Sequence, residues 1–227
     1  MEKILEVCCS DLKSVIAAAE ASARRIELCA VLASGGVTPS RGMIATARAI
    51  YGGTINVLIR VREGNFVFSS YEKAAMLEDI TTVAAGKCDG VVTGALTPDG
   101  DIDLDFAKAA AELAKKNGLT ITFHRAFDHC RDRREALEQL IALGYDRVLT
   151  SAGAADVEAG KDGLKALCEQ AAGRIIILPG GGVNHNNAAD IISYCGTTEI
   201  HGSCRAGGES SAPEVIRHII KSINHQS

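Results

Sequence analysis

Short apolar runs alternate with longer segments of helical periodicity along the whole chain. Runs rich in Ile, Val, Leu and Thr predict strands at 3–8, 25–29, 54–60, 90–94, 120–124, 147–151, 174–178 and 198–201. Between them, Ala, Leu, Glu, Lys and Arg recur at helical spacing over 11–22, 41–51, 71–85, 103–117, 132–143, 156–171 and 184–194. A last helix is predicted over 213–223. Several of these segments begin at Asp, Asn or Ser, whose side chains can accept a hydrogen bond from the first helical turn, and Pro213 suits a first helical position.

Eight strands, each followed by a helix, give units of about 28 residues, the usual size of a strand, a helix and two turns. Alternating β and α elements with both sheet faces covered imply a parallel sheet. The count and the absence of any composition break favour a single (β/α)₈ barrel domain over residues 1–227. A doubly wound open sheet is the alternative.

Side chains alternate along a strand, so residues two apart share a face. Ile4, Glu6 and Cys8 are in phase, as are Arg25, Glu27 and Cys29; so are Asn56, Leu58 and Arg60, then Thr120, Thr122 and His124, and finally Glu199 and His201. The opposite faces are mainly aliphatic, and the face toward the helices must be apolar. The polar sets are therefore expected inside the barrel, where Glu6, Glu27, Arg60, His124, Glu199 and His201 need partners or a ligand. A structural charge network, with Arg60 neutralising carboxylates, is one reading. A functional site is the other, since several of these residues fall near the C-terminal strand ends where barrel active sites are assembled.

Loops add to this set. Arg62 follows the third strand and brings a second guanidinium toward the same rim. His124, Arg125 and Asp128 offer a base, a cation and an orienting carboxylate within one short segment, and Ser151 ends the sixth strand. Gly180, Gly181 and Gly182 follow the seventh strand and Ser203 the eighth, a place where barrels commonly hold phosphate on backbone N–H groups. His218 and His225 are read as solvated.

Composition narrows the classes. The 47% hydrophobic and 23% charged residues are those of a globular chain. A net charge of −4, with 4% aromatic residues and no Trp, argues against nucleic-acid binding. No apolar run approaches the length of a membrane span, and the N-terminus lacks a signal-peptide pattern. Eight cysteines in a chain that needs no staples, several inside apolar strands, are expected to be reduced, which places the protein in the cytoplasm.

Leu-Glu-Val-Cys at 5–8, Arg-Ile-Glu-Leu-Cys at 25–29, Gly-Gly-Val-Thr-Pro-Ser at 35–40 and Thr-Phe-His-Arg-Ala-Phe-Asp at 122–128 resemble the CutC copper-homeostasis family. So do Arg-Val-Leu-Thr-Ser at 147–151, Pro-Gly-Gly-Gly-Val at 179–183 and Glu-Ile-His-Gly-Ser at 199–203. The resemblance implies a cytosolic, homo-oligomeric (β/α)₈ barrel linked to copper tolerance, with Cys8 and Cys29 as Cu(I) ligands. Two methionines usual in the family are Leu58 and Leu178 here.

Two functions follow. One is a Cu(I)-binding or trafficking protein of copper homeostasis. The other is an isomerase- or lyase-type enzyme on a small anionic or sugar-like metabolite. In it Glu6, Glu27, Arg60, His124, Asp128 and His201 do the chemistry, and Arg62, Arg125, Ser151, the three glycines and Ser203 hold substrate.

Overall fold

In the computed structural model, which describes residues 2–224, every predicted strand and helix is present. His225 lies outside the described residues, and His218 is exposed. The strands are β1 (Ile4–Cys9), β2 (Arg25–Leu28), β3 (Thr54–Leu58), β4 (Gly90–Thr93), β5 (Thr120–Phe123), β6 (Arg147–Thr150), β7 (Ile176–Pro179) and β8 (Glu199–Gly202). The helices are α1 (Leu12–Glu20), α2 (Arg41–Ile50), α3 (Ser70–Ala85), α4 (Leu104–Lys116), α5 (Arg133–Leu143), α6 (Lys161–Ala171), α7 (Ala188–Cys195) and α8 (Pro213–Asn224).

The strands pair in parallel in the order β7-β6-β5-β4-β3-β2-β1-β8. A parallel bridge between Gly180 and His201 joins the two ends, so the sheet closes into a (β/α)₈ barrel and the open-sheet alternative falls away. The Thr197 hydroxyl also donates to the Ile177 carbonyl at 2.6 Å across this seam.

Local sequence explains the boundaries. Asp11, Ser40, Ser69, Asp103 and Asp132 each accept a backbone N–H in the first turn of the helix they precede. Ser69 and Glu72 complete a reciprocal capping box. Two helices start later than the periodicity predicts. Asp156 and Asn184 spend their side chains on loop N–H groups, those of Ala159 and Asn186, so the helices begin at Lys161 and Ala188.

The main core lies between sheet and helices. Leu5, Val7, Ile26, Leu28, Ile55, Val57, Ile121 and Phe123 point outward to it, against Val15, Ile44, Ile80 and Phe106 among others. A second, small apolar cluster lies inside the barrel, made of Cys8, Cys29, Leu58 and Val92 with Leu32 over it. The two-residue alternation read from the sequence thus separates Glu6, Glu27 and Asn56 inside from Leu5, Val7, Ile26, Leu28, Ile55 and Val57 outside.

Candidate functional site

The barrel interior is built in layers, and register sets their heights. Parallel pairing places Glu6 beside Arg25 and His201, Cys8 beside Glu27, and Glu27 beside Asn56. The lowest layer is a charge plug. Arg25, 4% exposed, lies 2.7 Å from Glu6 and 2.5 Å from Glu199, and Arg147 reaches Glu199 at 2.7 Å.

Glu6 is fully buried. It accepts from the Asn56 amide at 2.8 Å and faces His201 Nδ1 at 2.9 Å. Burial pushes its carboxyl up, but Arg25, His201 and Asn56 outweigh that and hold it at about 2. Burial also works against a charged His201, yet Glu27 and Glu6 leave its pKa above the ordinary imidazole value. The guanidinium that neutralises the interior carboxylates is therefore Arg25, and the expectation that Arg60 does so fails. Arg25 shares a face with Glu27, which was the signal for it in the sequence.

Above the plug, Cys8, Glu27 and His201 form the floor of a cavity of about 770 Å³ that opens at the C-terminal end of the strands. Cys8 Sγ is 3.9 Å from Cys29 Sγ and 3.9 Å from a Glu27 carboxylate oxygen. Ligand atoms of Cys8, Glu27 and His201 all lie within 4.8 Å of one another. Burial raises Glu27 to about 7, His201 counters this, and Glu6 adds to it. Its second oxygen has no hydrogen-bond partner among the described residues.

The walls carry Arg60, Phe66, His124, His129 and Leu149, with Arg125, Gly181, Gly182 and Ser203 toward the mouth. His124 Nδ1 accepts the Ala126 N–H at 3.2 Å, and burial, assisted by the Arg60 charge, pushes the imidazole down to about 3. It is neutral at physiological pH, with Nδ1 engaged by that N–H. Gly94 makes room for it, since a Cβ there would come within 2.9 Å of Nδ1.

Five of the six residues expected to do chemistry thus converge on one interior, Glu6 beneath the floor and Glu27, Arg60, His124 and His201 on the cavity surface, where Cys8, Arg125, Gly181, Gly182 and Ser203 join them. Others do not join them. Asp128 is turned away from His124. It receives Arg125 Nε at 2.8 Å, the Thr150 hydroxyl at 2.5 Å, and backbone N–H groups of Ser151 and Gly153 at 3.0 Å, so it staples the β5–α5 loop to β6. Ser151 belongs to this staple, donating to the Ala154 carbonyl at 2.7 Å. Arg62 pairs with Glu72 at 2.6 Å and ties its own loop together through the Asn65 and Val67 carbonyls. Gly180 is used in closing the barrel. Gly181 and Gly182 have φ of +108° and +76°, conformations that suit glycine. Phe66 and His129 were missed as wall residues; their signal was the long loop after β3 and the short turn after β5.

The sequence profile of the CutC family matches residues 3–206. A CutC family protein of Bacteroides fragilis is 49% identical over 203 residues, which is 89% of this chain and 80% of that protein. One from Vibrio parahaemolyticus is 43% identical over 215 residues, 95% of this chain and 85% of that protein. The crystal structure of a CutC protein from Streptococcus agalactiae, named for copper homeostasis, superimposes with a TM-score of 0.83. It is 34% identical and covers 88% of this chain and 98% of its own. Thiamine phosphate pyrophosphorylase from Pyrococcus furiosus, at 20% identity and a TM-score of 0.64, shares the barrel fold alone, with 97% of this chain and 95% of that one covered. The chain belongs to the CutC family.

Proposed function

We propose that the protein serves copper homeostasis by holding Cu(I) between Cys8 and Cys29 at the floor of the barrel cavity. The observation that carries this is the pair of buried thiols 3.9 Å apart. Thiolates are soft donors and suit Cu(I). Metal–thiolate bonds of about 2.3 Å would span the 3.9 Å at an angle of about 115°, which leaves one side of the ion open to a third donor. Glu27 and His201 are the groups gathered around Cys8 that could supply it. The hydrogen bond with Cys29, followed by burial, pushes the Cys8 thiol well up, so loading must displace its proton and strengthens as pH rises.

A cytoplasmic location and a homo-oligomeric state belong to the same proposal. All eight cysteines are free thiols, in keeping with a reducing compartment, and no described helix is long and apolar enough to cross a membrane. The test is a competition titration of reduced protein against a chromogenic Cu(I) chelator. The parent should withhold one equivalent, and Cys8→Ser/Cys29→Ser should withhold none. A parent that takes no Cu(I), or a double variant that takes as much, overturns the proposal.

Catalysis on a small anionic or sugar-like substrate is the second reading. It is favoured by a cavity of about 770 Å³, far more than one ion occupies. An untargeted metabolite-binding screen on metal-free and Cu(I)-loaded protein separates the two.

A further inference from the structure

Phe66 packs against two side chains that the fold leaves incompletely bonded. The Arg60 guanidinium lies 4.8 Å from its ring centroid, and the His124 ring centroid lies 5.0 Å from it. Arg60 is 4% exposed. It donates to the carbonyls of Ser34, Gly36 and Gly64, and no carboxylate among the described residues pairs with it. Its Nε has no partner. A buried cation solvated only by neutral carbonyls keeps its charge and its demand for a counter-ion.

His124 supplies a second free donor. Because Nδ1 accepts the Ala126 N–H, the ring proton resides on Nε2, and Nε2 is buried without a partner. Among the side chains lining the cavity, Glu27 is the single carboxylate, against the guanidiniums of Arg60 and Arg125 and three imidazoles.

Resting on the second reading above, we propose that the cavity binds a small organic anion whose carboxylate or phosphate oxygens accept the free N–H groups of Arg60 and His124. The anion neutralises the buried guanidinium and satisfies both donors at once. Its carbon body faces the apolar walls of Leu58, Phe66, Leu96 and Leu149. This site stands on residues after β3 and β5, apart from the glycine run after β7, and it does not depend on copper.

The test uses inorganic phosphate and pyruvate as separate probes. Each is titrated by calorimetry into the parent, Arg60→Met, Arg60→Lys and His124→Phe, and by ¹⁵N resonance of labelled histidine side chains. At least one probe should bind the parent and move the His124 Nε2 resonance. Affinity should fall about 10- to 100-fold in Arg60→Met and His124→Phe, and less in Arg60→Lys, which keeps the charge. Binding of phosphate alone assigns a phosphate ester, and binding of pyruvate alone assigns a carboxylate. Binding of neither probe, an unmoved His124 resonance, or equal affinity in folded His124→Phe overturns the proposal. If Arg60→Met fails to fold, His124→Phe and the resonance decide it.

Discussion

Replacing Arg25 by Met removes the charge that holds the lower barrel together while keeping much of the side chain's volume. Arg25 is 4% exposed and stands against Glu6 and Glu199, themselves 0% and 4% exposed. Breaking a buried ion pair from one side costs about 3–5 kcal/mol, because the remaining charge stays desolvated. The structure supports the lower part of that range, since His201 remains beside Glu6 and Arg147 beside Glu199. Among the groups that hold the Glu6 carboxyl below its ordinary range, Arg25 acts most strongly, ahead of His201 and Asn56. The pH dependence carries the sharper signature. A carboxylate held below its unfolded value stabilises the fold fully above that value, and the gain is lost as pH falls toward about 2. Without Arg25, burial raises both carboxyls, so they protonate earlier and the variant loses less on acidification. Urea denaturation should show a deficit of about 3 kcal/mol at neutral pH that narrows by about pH 4. A deficit under about 1 kcal/mol, or one that widens on acidification, would refute the assignment of Arg25 as the hub.

His124→Phe should flatten the acid limb of stability. The unfolded imidazole takes a proton below about 6.5 while the folded one stays neutral to about 3, so the parent loses about 1.4 kcal/mol per pH unit across that window and the variant does not, as denaturation at stepped pH will record. Asp128→Ala removes the acceptor of the loop staple and should cost about 2–3 kcal/mol in urea titrations and speed proteolysis after β5, with Cu(I) binding unchanged.

The fold was legible because strand and helix periods do not mix in this chain. Glu6, Glu27 and His201 could be placed inside because their strand neighbours Leu5, Val7, Ile26 and Ile200 had to face the helices. Register was not legible, and register decides partners. The sequence puts Arg25 and Arg60 on inward faces, but only the pairing of Glu6 with Arg25 shows which of them meets the carboxylates. The loops were least readable. Asp128 follows His124 closely, which suggested an orienting pair, yet the turn at Arg125–His129 aims the carboxylate at Thr150 and Ser151. Arg62 likewise serves its own loop, because Glu72 and the carbonyls around it are nearer than the cavity.

Copper at the barrel floor is tested most directly by X-ray absorption at the copper edge on reduced protein loaded with one equivalent of Cu(I). The arrangement of Cys8, Cys29, Glu27 and His201 predicts two sulfur scatterers and one nitrogen or oxygen scatterer, with both sulfurs lost in Cys8→Ser/Cys29→Ser. A spectrum without sulfur ligands, or one unchanged in the double variant, would contradict it.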